Sequence, residues 1–408
     1  MIEEVILPNG IRVIHEENPF SNIAHLGVFI HVGTRDEEKH EFGLAHFLEH
    51  VIFKGTKKRK SRHVLSRLDA VGGEINAYTT KEDTCLYASF TDNHLKRASE
   101  LLADITFNST FPKGELTKEK EVVIDEINSY KDAPSELIYD EFDNLVFGDH
   151  ALGRDILGNK KSVRGFKRSD VVNFVSDHYT PERMVISSVG NFSMKKLQKI
   201  LSKYFGEFEK KGKSLNRKQP TLGKVVSKSF NKDIHQAHCM LGNQAYASNH
   251  KNRSAFLMLN NLLGGPAMNS RLNLEIREKH GLTYNIESNY TPYSDSGIFS
   301  IYYGTDIKNI EKTEGLIRKE LEKLCAKKLG TNELHKVKQQ IVGQIAMSME
   351  SKVGVMLSLG KSKLLHDTVD PIEEVLEKFN NIKAKQLRDV ANEILHPDNL
   401  FSLTYNPK

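Results

Sequence analysis

The sequence predicts an α+β protein built from two duplicated α/β domains, each a mostly antiparallel sheet with helices packed on one face. Three observations support this fold class. The chain has 408 residues, more than one ordinary domain at roughly 150 residues each. Apolar periodicity stops between Phe208 and Gly223, where Glu209-Lys210-Lys211-Gly212-Lys213-Ser214 and Asn216 to Pro220 read as a linker. The flanking halves repeat one another weakly. Tyr179-Thr180-Pro181-Glu182-Arg183-Met184-Val185 leads into the strand-like Ile186 to Val189, and Leu395-His396-Pro397-Asp398-Asn399-Leu400 leads into Phe401 to Thr404. Each half also opens on an apolar strand pattern, Leu26 to Val32 and His238 to Gly242, followed by a long helical stretch. The expected division is a domain over 1–208, a linker over 209–223 and a domain of related fold over 224–408.

Composition removes several function classes. With 38% hydrophobic and 27% charged residues the chain is neither disordered nor collagen-like. Its net charge of +5 arises from 58 basic and 53 acidic side chains spread along the chain, which is no nucleic-acid signature. No window approaches the ~18 apolar residues of a membrane helix, and Met1-Ile2-Glu3-Glu4-Val5 lacks a signal-peptide pattern. Cys85, Cys239 and Cys325 read as buried thiols in a reducing compartment, so the expected location is cytoplasmic. The basic run Lys57, Lys58, Arg59, Lys60 and Arg62 is either a solvated loop or a rim that attracts acidic substrate.

The chemical signal lies in Gly43 to Phe53. Leu44, Phe47, Leu48, Val51 and Ile52 recur at helical spacing and form a buried stripe. Off that stripe, His46, Glu49 and His50 spell H-x-x-E-H. Imidazoles at i and i+4 lie one turn apart on one helix face, close enough to ligate one metal ion, with the carboxylate of Glu49 beside them. A polar helix face would also account for the pair. Catalytic zinc wants three protein ligands and an open position. A candidate third ligand lies in a second helical segment, Leu116 to Tyr130, entered through Thr117. There Glu119, Val122 or Val123, Glu126 and Tyr130 share a face. Ile124 and Ile127 draw that helix into the core, and a buried carboxylate must be paired or metal-bound; spacing alone leaves an exposed helix acid as an equal alternative.

Gly43-Leu44-Ala45-His46-Phe47-Leu48-Glu49-His50-Val51-Ile52-Phe53-Lys54-Gly55-Thr56 closely resembles the signature helix of the inverted-motif zinc peptidases, the insulinase or pitrilysin superfamily. The resemblance is to its short-chain branch, which includes bacterial processing-type peptidases and mitochondrial processing peptidase. It implies Zn2+ held by His46, His50 and Glu126, which stands at the family's distance beyond the second histidine. Glu119 matches the family's supporting acid, and Glu49 would take a proton from the attacking water. In the second half, Leu263-Gly264-Gly265-Pro266-Ala267-Met268-Asn269-Ser270-Arg271-Leu272 and Arg277-Glu278-Lys279-His280-Gly281-Leu282-Thr283-Tyr284 resemble the family's glycine turn, helix and strand. Arg277 and Tyr284 match its pair that contacts the substrate carbonyl region.

Read from the residues, Gly281 is a helix C-cap, and a strand follows with Tyr284, Ile286 and Ser288 on one face. Gly72-Gly73-Glu74-Ile75-Asn76-Ala77-Tyr78-Thr79 resembles the edge strand on which the family lays its substrate, and it turns at Lys81-Glu82-Asp83 into Thr84 to Phe90. Gly73, Asn76 and Ala77 would position an extended peptide by main-chain pairing. The resemblance thus implies a zinc metalloendopeptidase acting on peptides or unfolded polypeptides inside a chamber. A chain of one two-domain half would form that chamber as a homodimer completed in trans, with a heterodimer as the alternative. A non-catalytic scaffold or partner subunit is the competing function.

Overall fold

The computed structural model describes residues 2–221 and 223–408. Its eleven strands are β1 (Ile2–Ile6), β2 (Arg12–Glu17), β3 (Ile23–Ile30), β4 (Glu74–Thr79), β5 (Thr84–Thr91), β6 (Met184–Gly190), β7 (Ser227–Lys232), β8 (Ala237–Ala245), β9 (Thr283–Pro292), β10 (Gly297–Thr305) and β11 (Phe401–Pro407). They form two mixed sheets in two compact units, the first made of Met1–Asn128, Asp155–Arg217 and Met347–Val369, the second of Ser129–Arg154, Lys218–Ala346 and Asp370–Lys408.

In the first unit the strand order is β1-β2-β6-β3-β5-β4. Only β2 and β6 run parallel; the other pairs are antiparallel. Alternation along β3 sends Leu26, Val28 and Ile30 into the main core and Phe29 to the opposite face. On the main face, Leu44, Phe47, Leu48 and Val51 of the helix Leu44–Val51 join Val123, Ile124 and Ile127 of the helix Lys113–Lys131 in that core. The latter helix starts four residues before the expected entry. Leu116 N–H already bonds Pro112 O, and the Thr117 hydroxyl donates back to Lys113 O, so Thr117 is an interior residue rather than a cap. On the opposite face Ile14, Phe29, Cys85, Val185 and Val189 are covered by Val355, Met356, Leu359 and Leu364 of the helix Lys352–His366. The approach is close at both surfaces: a Cβ on Gly360 would meet the Phe29 ring at 2.1 Å, and one on Gly27 would meet Met356 Sδ at 2.7 Å.

The second unit repeats the plan as β7-β11-β8-β10-β9, with β11 parallel to β7 and antiparallel to β8. β6 and β11 therefore occupy the same place in their sheets, between a parallel and an antiparallel neighbour. Each is entered through a Pro-led 3-10 turn, Pro181–Arg183 and Pro397–Asn399, which is the repeat seen in the sequence. Here too a single helix covers the second sheet face: Ile138, Phe142 and Val146 of Pro134–Phe147 pack on Met240, Ile298, Tyr302, Phe401 and Leu403.

These two helices separate the units from the contiguous division 1–208 and 224–408. Pro134–Phe147 lies in the first half of the chain but belongs to the second unit, while Lys352–His366 lies in the second half and belongs to the first. Each sheet has two apolar faces to bury, and an amphipathic stripe does not specify which sheet it will meet. The expected linker also differs from a free tether. Lys213 pairs with Asp177 at 2.5 Å, Gly212 N–H donates to Glu182, and the Arg217 side chain is nine-tenths buried within the first unit.

Cys85 and Cys239 are buried free thiols, whereas Cys325 is only half-buried. Within the basic run, Arg59 turns inward to Glu100 and Asp104 at 2.7 and 2.5 Å, leaving Lys57, Lys58, Lys60 and Arg62 exposed. Among the described residues no helix is long and apolar enough to cross a membrane.

The tight Gly360 contact sets a measurable cost. Gly360→Val drives a side chain into the Phe29 ring and should destabilise the chain by about 1–3 kcal/mol, read as a lower denaturant midpoint; an unchanged midpoint would show that this helix is not closely packed.

Candidate metal centre

The helix Leu44–Val51 starts at Gly43, whose φ of +87° lies in the left-handed region. A Cβ there would also strike Gly158 Cα at 2.6 Å, so both conformation and space require glycine. The helix has no side-chain cap from its own N-cap residue; the buried carboxylate of Glu37 does that work from six residues upstream. Its two oxygens accept the N–H groups of Gly43 and Ala45, each at 2.8 Å. This satisfies otherwise orphaned amides and sets a negative charge at the positive end of the helix.

With the apolar stripe buried, His46 and His50 present their rings together, centroids 4.8 Å apart. Glu126 arrives from the helix Lys113–Lys131. Its Oε2 lies 3.7 Å from His46 Nε2 and 3.3 Å from His50 Nε2, and the three ligand atoms lie within 4.8 Å of one another. Tetrahedral zinc ligands at about 2.0–2.2 Å from the ion stand about 3.4 Å apart. Glu126 Oε2 is buried and accepts no hydrogen bond, and His46 Nδ1 is buried without a partner. Atoms that converge on one point without bonding each other suit a cation, so the donor set fits zinc.

A second carboxylate stands behind the first. Glu119 is buried with Oε2 at 3.4 Å from His50 Nδ1 and Oε1 at 2.6 Å from Lys54 Nζ. It thus faces the His50 ring nitrogen that points away from Glu126, a place from which a carboxylate can orient a ligating imidazole, and it is paired in turn with Lys54. Val123 is buried and Val122 is half-exposed, which resolves which valine shares the inner face.

The local charges follow from burial and proximity. Burial holds the His46 imidazole down, to about 4. Burial also pulls on His50, but Glu126 beside it and the charges of Glu49 and Glu119 prevail and raise it. Glu126 is lowered, first by His50 and against its own burial. Glu49 is raised by burial, opposed by hydrogen bonding from Thr79 and by His50.

Thr79 is the last residue of β4, the outermost strand of its sheet, and its hydroxyl also reaches Ala45 O at 3.5 Å. The free edge of β4 therefore ends on the motif helix. Along it Asn76 is exposed and Ala77 half-buried, and a Cβ on Gly73 would meet Ser89 O at 2.9 Å. Arg277 and Tyr284 belong to the second unit. Arg277 lies on a π-helical turn, Asn273–Glu278, with its guanidinium 5.1 Å from the centroid of the Tyr284 ring. Gly281 ends this turn at φ +59°, its N–H bonding Arg277 O, as a C-cap should. Tyr284 does not share a face with Ile286 and Ser288: it is 86% exposed while both of those are buried. The register shifts between Tyr303 and Thr305, so three β9 steps oppose two β10 steps, and this bulge turns Tyr284 outward.

Glu37 and Lys54 were absent from the sequence reading. An acid shortly before a helix start was the available signal for Glu37, but its six-residue reach exceeds any local capping pattern. Lys54 sits inside the signature stretch with nothing in its spacing to pair it with Glu119.

A family model described as insulinase (peptidase family M16) matches residues 12–160, and one described as peptidase M16 inactive domain matches residues 165–341. The chain is 35% identical over 405 residues, 99% of its length and 98% of the relative's, to the uncharacterized zinc protease YmxG of Bacillus subtilis. It is 33% identical over 389 residues, 95% of its length and 93% of the relative's, to an uncharacterized zinc protease of Rickettsia bellii. Among solved structures, a protease from Helicobacter pylori matches at a TM-score of 0.92 and 24% identity, covering 100% of this chain and 99% of that one. A chain of complex III2 from Candida albicans matches at a TM-score of 0.85 and 18% identity, covering 99% and 95%. At these identities the structures share the fold.

Glu119→Gln tests the inner support of His50. Loss of the charge behind the ring should weaken zinc binding about tenfold in competition with a chromophoric chelator; an unchanged dissociation constant would remove Glu119 from the centre.

Proposed function

The chain belongs to the insulinase family, peptidase family M16, and from that premise we propose that it is a zinc-dependent metalloendopeptidase that hydrolyses extended or unfolded peptides. One observation carries this reading: His46, His50 and Glu126 bring three ligand atoms together, one of them a buried carboxylate oxygen that accepts no hydrogen bond. Bound by these residues, zinc supplies a Lewis acid that brings the pKa of a water toward ~7. Glu49 stands on the same helix, between the two histidines in sequence, and burial raises its proton affinity. It takes the proton from the attacking water and delivers it to the leaving amine. An extended peptide pairs with the free edge of β4 at Gly73, Asn76 and Ala77, and Thr79 at the end of that edge leads it to Glu49.

Arg277 and Tyr284 donate to the substrate carbonyl and the adjoining main chain as negative charge develops, an effect worth about 3–4 kcal/mol per donor in comparable sites. The exposure of Tyr284 and its contact with Arg277 suit a pair that awaits a partner. We assign that role in trans: two copies of the chain form a homodimer enclosing the substrate, each supplying this pair to the other's metal centre. Residues 165–341, which match an inactive-domain description, hold no metal-ligand group among the described residues.

Cleavage of a quenched fluorescent peptide mixture tests the activity. Wild-type protein should cut, a chelator should abolish cutting, zinc should restore it, and Glu49→Gln should retain zinc yet lose activity by at least a thousandfold, about 4 kcal/mol of barrier. A zinc-loaded protein that cuts nothing would favour the scaffold role. Mixing Glu49→Gln with Tyr284→Phe chains, each inactive alone, should recover about a quarter of wild-type activity through dimers that pair one intact centre with one intact Arg/Tyr pair. No recovery in a confirmed mixed dimer would place the pair outside a trans arrangement.

A further inference from the structure

The linker carries a side chain that reaches the support of the metal helix. Arg217 sits in the stretch without regular structure after Phe205, yet its side chain is only 10% exposed. Its Nε and Nη2 grip both oxygens of Asp36 at 2.9 and 2.8 Å, Nη2 also donates to Glu82 O at 2.8 Å, and Nη1 donates to His31 Nε2 at 2.7 Å. Because a guanidinium offers only donors, the accepting nitrogen of His31 is unprotonated. Burial and the Arg217 charge hold that imidazole down, to about 4, consistent with this role.

The groups that Arg217 grips belong to the two segments that frame the centre. Asp36 closes the turn Thr34–Asp36 by accepting Gly33 N–H at 3.0 Å, and the next residue is Glu37, the carboxylate that caps the motif helix at Gly43 and Ala45. Thr34 and Arg35 N–H groups bond Thr80 O and Lys81 O at 3.2 and 2.8 Å, and the Arg35 guanidinium meets Glu82 at 2.6 Å. These tie the same turn to the β4–β5 connection that ends the edge strand. The two segments approach closely: a Cβ on Gly33 would meet Thr80 O at 2.4 Å.

We propose that Arg217 is a positioning residue for the metal centre, clamping the Gly33–Glu37 turn and the β4–β5 connection so that the Glu37 cap holds the amino end of the metal helix in register. This rests on the metal centre of the proposed peptidase but not on cleavage of any peptide. Arg217 touches neither the ligands nor Glu49; it acts through Asp36, Glu82 and the turn that carries Glu37. A bidentate fork plus two further donors is work that lysine cannot replace in full.

The test compares full-length wild type, Arg217→Lys and Arg217→Met, all stripped of metal, by amide hydrogen exchange, with zinc affinity measured in parallel by chelator competition. In Arg217→Met, the amides of Gly43 to Phe47 should exchange at least tenfold faster while those in the core of the helix Lys113–Lys131 keep their protection, and zinc should bind about tenfold more weakly. Arg217→Lys should fall between, and it carries the test alone if Arg217→Met does not fold. Unchanged exchange at Gly43 to Phe47, or an equal rise throughout the unit with zinc affinity retained, would reduce Arg217 to a general staple and overturn the inference. Wild-type protein that binds zinc but cuts no peptide would remove the peptidase reading and leave this inference to be judged on exchange and affinity.

Discussion

A buried carboxylate oxygen without a well-directed hydrogen bond is among the more expensive features a folded chain can keep, because neighbouring charge offsets its desolvation only in part. Glu126 Oε2 is such an atom: no hydrogen bond reaches it, and the imidazoles of His46 and His50 stand against its charge at 3.7 and 3.3 Å. Its helix is fixed by Val123, Ile124 and Ile127 in the core, and the histidines facing it ride on a helix fixed by Leu44, Phe47, Leu48 and Val51. Rotating either helix would expose its own apolar stripe. The cost is held in place by core packing, and a cation on the three ligands is what would offset it.

Around that constraint the polar groups form successive supports. Glu119 stands behind His50 and Lys54 behind Glu119, while Glu37 fixes the amino end of the motif helix. The supports come from separate parts of the chain: the turn before the motif helix, the stretch just after it and the long helix beyond residue 112. Arg217 extends the set into the linker. Each is a charge-assisted contact, and the buried side chains of Glu37, Glu119 and Arg217 make theirs largely out of water, where such contacts are strong and geometrically selective.

The duplicated plan separates fold from chemistry. Both units share a five-strand order that includes one strand with a parallel and an antiparallel neighbour, the first adding β1 at its edge, and both close their second sheet face with a single helix drawn from the other half of the chain. Only the first has a metal-ligand group among the described residues. At the outer edge of the second sheet stands a bulged strand that turns a tyrosine into solvent beside an arginine on a π-helical turn. One architecture thus presents two chemically different edges.

The sequence by itself determined the fold class, the repeat and the candidate ligands, because these depend on local period and spacing. Helical periodicity puts His46 and His50 one turn apart whatever surrounds them, and each Pro-led turn, before β6 and before β11, is legible within a few residues. The tertiary structure decided which sheet receives the helices Pro134–Phe147 and Lys352–His366, since an apolar stripe records only that it must be buried. It also decided the outward turn of Tyr284, which follows from a register shift against a neighbouring strand, and the partners of Glu37, Lys54 and Arg217. Contacts between residues distant in sequence leave no spacing pattern, so a charge in a linker reads as solvated until the carboxylate it grips is brought to it.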